Sequence, residues 1–212
     1  MAENLTQTAE SRSELLKASP RMFKADWMDR LSRVHPSVVL VIFIPTVAVL
    51  GVVGATHTGL SAIVWFAGGW FFWTLTEYWL HRIVFHFDAD SEWAHRFHFM
   101  IHGVHHDHPN DPLRLVMPPG ASIPLAAIFL LLFWSVLPTG AWMVFGSGFL
   151  TGYLVYDMLH FHMHHHRPRT RLGRLMRELH MRHHFQDHAT GFGVSAPFWD
   201  VVFGTKPAGR RS

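Results

Sequence analysis

Two stretches without one charged side chain dominate this 212-residue sequence: positions 34–76, 43 residues long, and positions 115–156, 42 residues long. A helix needs roughly 20 apolar residues to cross the hydrocarbon core of a bilayer. Each stretch is therefore long enough to cross twice and too long for one straight span. Each also carries a break near its middle, Gly54–Ala55–Thr56–His57–Thr58–Gly59 in the first and Leu137–Pro138–Thr139–Gly140 in the second. Glycine reaches backbone angles closed to other residues and proline lacks an amide donor, so both end helices. The pattern predicts two helical hairpins, with spans at about 37–54, 60–80, 120–137 and 140–161. Pro45 is expected to kink the first span, and Pro124 to lie near the start of the third.

The basic residues agree with this topology. Six Lys/Arg precede the first span, Arg82, Arg96 and Arg114 lie between the hairpins, and nine follow Asp157. Neither hairpin turn holds any. With four spans all 18 fall on one side, which the positive-inside rule makes cytoplasmic, together with both termini. The membrane is expected to be a bacterial inner membrane or the endoplasmic reticulum. The sequence pI of about 9.7 then describes a basic surface facing anionic head groups, with no reason to invoke nucleic acid. Residues 1–35 are polar and lack the apolar core of a signal peptide. Leu15, Leu16, Met22, Phe23, Trp27, Met28 and Leu31 recur there at roughly helical spacing among Lys and Arg, as in an amphipathic segment lying on the leaflet. The chain thus divides into an interfacial segment, 1–35, and a membrane domain, 36–212.

Cysteine is absent, which excludes disulfides and thiolate metal sites, while histidine reaches 19 residues. The histidines follow the ends of the two hairpins. After the first come His81, His86, His102, His105 and His106; after the second come His160, His164, His180, His183 and His184. Both sets contain H-x-x-H-H, both leave 16 positions before it, and corresponding residues lie 78 or 79 apart. On a helix, positions i, i+3 and i+4 share a face, so H-x-x-H-H aims three imidazoles into one volume. His81 and His86, five apart, need a helix end between them or serve different metals. Ten imidazoles exceed what one metal uses, so two metal ions are expected. All-nitrogen ligation suits iron, zinc or copper. Glu77 and Asp157, at the membrane edge before each set, are placed to accept hydrogen bonds from ring N–H groups and so fix tautomers. His98, His162, His165 and His166 fall inside the clusters as supporting or alternative ligands. His35, His57, His95, His108 and His188 read as solvated or interfacial side chains.

The segments EYWLHRIVFHFD (77–88), FHFMIHGVHHDHPNDPLRLVMPP (97–119), GYLVYDMLHFHMHH (152–165) and HMRHHFQDHATGFGVSAPFWDVVFGT (180–205) resemble the fatty acid hydroxylase/sterol desaturase superfamily. Within it the sequence is most similar to the fatty acid 2-hydroxylases. The resemblance implies an all-α integral membrane fold, four transmembrane helices under a cytoplasmic helical cap that holds a His-rich di-metal site. It carries the family's ligand role onto His81, His86, His102, His105, His106, His160, His164, His180, His183 and His184. The implied activity is insertion of one oxygen atom from dioxygen into a C–H bond of a lipid acyl chain. The alternatives are a desaturase, sterol oxidase or carotenoid hydroxylase on the same scaffold and, from another class, a membrane metal transporter.

Family members are described with iron or zinc. Zinc has no redox chemistry, so iron is expected in the active form. Eukaryotic relatives carry a cytochrome b5 domain, whose His-Pro-Gly-Gly motif His35-Pro36-Ser37-Val38 does not supply; electrons are expected from a separate donor protein. Trp70, Phe71, Phe72, Trp73, Tyr78, Trp79 and Tyr153 are candidates to wall an acyl tunnel, although belt and packing roles account for most of them. Arg114 and Arg182 read as solvated surface rather than as contacts to a lipid head group.

Overall fold

The computed structural model describes residues 12–88 and 90–208, and every regular element among them is helical. We number the α-helices α1 (Asp26–Leu31), α2 (Pro36–Thr58), α3 (Ala62–Trp79), α4 (Glu92–His98), α5 (Val104–Asp107), α6 (Pro119–Val136), α7 (Ala141–His165), α8 (Arg171–Phe185) and α9 (Phe198–Val202). Residues 1–11 of the N-terminal segment lie outside the described residues.

Two stretches, Pro36–Phe85 and Pro119–Val136, are long and apolar enough to cross a membrane, and only 17% and 11% of their most apolar windows are buried. The core helix of a soluble domain would be mostly covered. Here Val41, Val52, Leu60, Ile63, Val64, Ile128 and Leu131 all face outward, as in a membrane protein. The long helix α7 is the axis of the bundle, with α2, α3 and α6 packed around it. Its side chains are largely buried, and its polar residues therefore face protein rather than lipid.

The α3–α7 crossing is close because glycines meet backbone there. A Cβ at Gly69 would stand 1.9 Å from Phe145 O, and one at Gly148 would stand 2.1 Å from Phe66 O. Small residues allow such approach between helices in lipid. Below the crossing, Trp73 packs edge-on against Phe149 and Tyr153, at centroid separations of 5.2 and 5.4 Å, and Phe43 closes on Tyr153 at 5.1 Å.

The first hairpin turns later than the glycines suggest. Helix α2 continues through Gly54 to Thr58, and the reversal falls at Gly59–Ser61, where Gly59 takes φ 57°. Gly54 is a contact residue: a Cβ there would lie 2.6 Å from Val144 and 2.8 Å from Gly140 O. The second reversal is at Gly140, φ 84°, inside the expected segment. Pro45 and Pro124 are both accommodated inside helices.

Beyond the apolar ends of α3 and α7 the chain builds a polar layer. Helix α3 passes into a π-helical turn, Leu80–Phe85; α4 is capped by Ser91 and leads into a second π-helical turn, Phe99–Gly103, and then α5. Helix α8 is capped by Thr170 Oγ1, which accepts from Gly173 N at 3.0 Å, and it packs along the end of α7. The segment 190–205 folds back over α3. Tyr78 Oη meets Thr205 Oγ1 at 2.9 Å, and Trp199 Nε1 donates to Thr74 Oγ1 at 3.1 Å.

Candidate metal centre

The polar layer gathers ten imidazoles into two groups of five. His81, His86, His102, His106 and His183 form one; His105, His160, His164, His180 and His184 form the other. Within each group the ligand-capable nitrogens all lie within 4.8 Å of one another. Each group draws on both halves of the sequence. His183 enters the first from α8, and His105 enters the second from α5.

Spacing explains the partition, and corrects one expectation. Each H-x-x-H-H motif serves two centres. Its i and i+4 members, His102 with His106 and His180 with His184, aim at one group, while His105 and His183, a quarter-turn or so away, aim at the other. The five-residue step from His81 to His86 also resolves. Residues Leu80–Phe85 are π-helical, and i→i+5 bonding places residues five apart on one face. His81 Nε2 and His86 Nε2 are consequently 3.2 Å apart, in the same group. The expected helix end is also present: the turn stops at Phe85, and His86 follows it with φ −119° and ψ 37°.

Donor separations fit metal ions. In the first group Nε2–Nε2 distances are 3.2 Å for His81–His102 and 3.0 Å for both His102–His106 and His86–His183. In the second they are 3.0 Å for His105–His184, 2.8 Å for His164–His180 and 3.1 Å for His180–His184. Two nitrogens bound to one ion at about 2.1 Å are separated by about 3.0–3.4 Å for octahedral to tetrahedral angles. Without an ion, facing ring nitrogens at this distance place lone pair against lone pair wherever neither carries a proton. Both ring nitrogens of buried His160 lack a hydrogen-bond partner among the described residues, which is costly unless an ion takes one. The residues fit a pair of metal ions.

Two of the ring orientations are fixed from behind by backbone. His81 Nδ1 donates to Phe192 O at 2.8 Å, and His183 Nδ1 donates to Thr190 O at 2.6 Å, which leaves each Nε2 with its lone pair toward the centre. The carboxylates expected in this role have other partners. Glu77 accepts from Ser195 N at 2.6 Å and from Ser195 Oγ; Asp157 accepts from Met117 N at 3.4 Å and from Tyr153 Oη at 3.2 Å. Each ties its helix to a loop, Glu77 to the loop at Ser195 and Asp157 to the loop at Met117. The 190–195 loop, whose carbonyls hold the rings, gave no sequence signal because any residue type supplies a carbonyl.

Burial sets the protonation state. It pushes His86 down to about 3 and His183 down to about 4, with neighbouring imidazoles adding to the effect. His102, His105, His180 and His184 are driven well below the usual imidazole range by burial first and by neighbouring imidazoles second. All are neutral near pH 7, the form that ligates metal.

The remaining histidines stay outside both groups. His35 caps α2, its Nδ1 accepting from Ser37 N at 3.2 Å, and His108 Nδ1 meets Leu15 O at 2.6 Å. Exposed His188 lies beside the first group, its ring 4.9 Å from that of His106.

A cavity of about 600 Å³ opens against the histidines. His102, His105 and His160 are among its lining residues; Met28, Leu31, Phe85, Met100 and Leu125 supply much of its apolar wall. The aromatic residues proposed as tunnel walls do not line it: Trp73 and Tyr153 are core, and Phe71 packs on Trp199 at 5.6 Å. Arg182, near the surface, pairs with Glu178 at 2.7 Å. Arg114 is the larger correction. Expected in solvent, its side chain is 2% exposed and lines the cavity.

Comparison with known proteins agrees with this geometry. Residues 66–205 match the family model described as fatty acid hydroxylase. A dihydroceramide fatty acyl 2-hydroxylase from Arabidopsis thaliana is 38% identical over 199 residues, covering 90% of this chain and 81% of that protein. A ceramide very long chain fatty acid hydroxylase from Saccharomyces cerevisiae is 41% identical over 197 residues, 89% of this chain and 50% of the relative. A solved structure of full-length scs7p, in which only the hydroxylase domain is visible, superposes with a TM-score of 0.83 at 38% identity, covering 88% of this chain and 72% of that one. The region matched by the family model holds all ten clustered histidines, and the protein belongs to the fatty acid hydroxylase family.

Proposed function

We propose that this protein is a membrane-bound fatty acid 2-hydroxylase, which converts a C–H bond beside the acyl carbonyl into C–OH. The observation that carries the reading is the pair of five-histidine groups, three of whose members line an apolar cavity of about 600 Å³. The 2-hydroxylase names of the relatives supply the position of attack.

The overall change consumes dioxygen, two electrons and two protons, and yields the hydroxylated lipid and water. Attack on an unactivated C–H bond exceeds what side chains achieve, and a pair of iron ions supplies the required dioxygen chemistry when bound. His81, His86, His102, His106 and His183 would hold one ion, and His105, His160, His164, His180 and His184 the other. The chain contributes neutral imidazoles, two of them oriented by the Phe192 and Thr190 carbonyls. Its apolar cavity wall excludes water from the reacting carbon and admits an alkyl chain. Glu77 and Asp157 act behind the ligands by anchoring the loops at Ser195 and Met117.

In the bilayer, α2, α3, α6 and α7 form four spans in two hairpins. The histidine layer and both termini lie on the cytoplasmic side, where all 18 Lys/Arg gather. Residues 1–35 are an interfacial segment and 36–212 the membrane domain. A separate protein delivers the electrons.

The test is expression in a lipid-producing host, with mass spectrometry of the lipids and elemental analysis of the purified protein. The expected result is a 2-hydroxyacyl product and two iron ions per chain for the wild type, and neither product nor full metal content for His105→Ala. Zinc-loaded, iron-free protein turning over at full rate would overturn the iron assignment. Desaturated or ring-hydroxylated products would replace the 2-hydroxylase reading.

A further inference from the structure

One polar lining residue of the cavity, Arg114, is not explained by the histidine groups. Helix α1 and the loop 108–118 meet there through four charged side chains. Arg114 NH2 donates to Asp29 Oδ1 at 3.0 Å, and Arg33 NH2 donates to Asp29 Oδ2 at 3.1 Å. Arg114 Nε stands 3.7 Å from Asp111 Oδ2. Burial alone would raise the Asp29 carboxyl; hydrogen bonds from Met22 N, Arg114 and Arg33 outweigh it and hold the group well below the usual carboxylate range. The backbone joins in, with Val34 N donating to Leu113 O at 2.7 Å.

Arg114 is not used up by these contacts. Its NH1 is buried and has no hydrogen-bond partner among the described residues. An unpaired buried guanidinium donor is costly, and it persists in native proteins where a ligand or ion takes it. Apart from the histidines, other polar side chains on this cavity are committed: Ser32 Oγ donates to Asp29 O at 2.8 Å, and Asp157 accepts from Met117 N and Tyr153 Oη. Arg114 shares the cavity with His105 and His160, and the segment from Arg114 to Met117 runs from the ion-pair cluster to Asp157. That segment spans at most about 10 Å.

We propose that Arg114 is the substrate-anchoring residue: its free NH1 donates to an uncharged oxygen at the polar end of the acyl lipid, an amide carbonyl or hydroxyl, and so sets which carbon faces His105 and His160. This rests on the hydroxylase reading above. Charge balance selects a neutral acceptor. Arg33 and Arg114 already offset Asp29 and Asp111, so a carboxylate would bring an unmatched charge to the buried Arg114 side chain, whereas a carbonyl or hydroxyl brings none.

The test uses purified full-length chain in nanodiscs and two probes of equal chain length, an N-acyl sphinganine and the free fatty acid. Equilibrium binding of each is measured, together with the hydroxyl position in lipids of expressing cells and the metal content of every variant. Arg114→Gln is expected to weaken N-acyl sphinganine binding about 10- to 100-fold and to spread the hydroxyl beyond C2, with metal content unchanged. Asp29→Asn keeps the shape of the tether but removes one negative charge. It is expected to shift relative affinity toward the free fatty acid by about tenfold or more, an effect that a purely structural tether would not produce. Amide binding by Arg114→Gln within about twofold of wild type, or an unchanged probe preference in Asp29→Asn, overturns the proposal. If Arg114→Gln loses its metal, the Asp29→Asn arm decides alone. Wild-type protein that forms no hydroxylated lipid while both binding shifts hold removes the hydroxylase reading and leaves this one standing.

Discussion

His105 Nε2 stands 3.0 Å from His184 Nε2, although 79 positions separate them and they belong to opposite halves of the chain. His183, one residue before that partner, instead faces His86 at 3.0 Å in the other group. Adjacent residues of one helix thus serve two centres.

That division makes metal loss selective. His183→Ala removes a donor from the first group only, and His160→Ala from the second only. Each variant is expected to fall from two to about one metal equivalent per chain, since losing one ligand of a buried site weakens it severely. Elemental analysis of dialysed protein checks this. Loss of both ions from either variant would show that the groups load as one unit.

The π-helical turn gives a second prediction. Inserting one alanine after Val84 lengthens the turn between His81 and His86 and rotates His86 by about 100° away from its group. Hydroxylation should drop to background while the second group keeps its ion. Alanine at Val84, which is exposed and leaves the length intact, should retain both metals.

Acid should act on the metal-free protein in a defined direction. His86 and His183 have folded-state values of about 3 and about 4, against an unfolded value of about 6.5. Below about pH 6.5 the unfolded chain takes up protons that the folded chain refuses, so stability is complete above that pH and is lost as pH falls toward 4. Thermal melts of chelator-stripped protein between pH 8 and pH 4 should show a falling midpoint. A flat profile over that range would contradict it.

Packing at the α3–α7 crossing is predicted to be intolerant. Gly69→Ala drives a methyl to within 1.9 Å of Phe145 O and should cost about 3 kcal/mol or more, because neither backbone can yield without separating the helices. Gly59→Ala faces open space, and its φ 57°, ψ −136° belongs to a region reserved for glycine, so it should cost about 1–3 kcal/mol of backbone strain. Comparative denaturation in detergent ranks the two.

The sequence made the large features legible for simple reasons. Charge-free length is read directly, so the helices ended within a few residues of expectation except at Gly54, where packing against Val144 and Gly140 overrode the usual meaning of glycine. Histidine spacing identified all ten clustered residues but not their division. For His81 and His86 it depends on a π-helical turn, for which LHRIVF carries no recognisable signal. Arg114 was misread because local sequence shows a lone basic residue in a polar loop; its partner Asp29 lies 85 positions away. Backbone acceptors such as Phe192 O are invisible to any reading of side chains.

The interleaving of the two groups also bears on how the protein is made. With four of the first group's donors in place by residue 106, the fifth, His183, emerges from the ribosome only some eighty residues later. The second group waits even more heavily on late synthesis, because His105 alone precedes α7. Neither five-histidine group can be completed on a nascent chain shorter than about residue 183, so each assembles only after α7 and nearly all of α8 have been made.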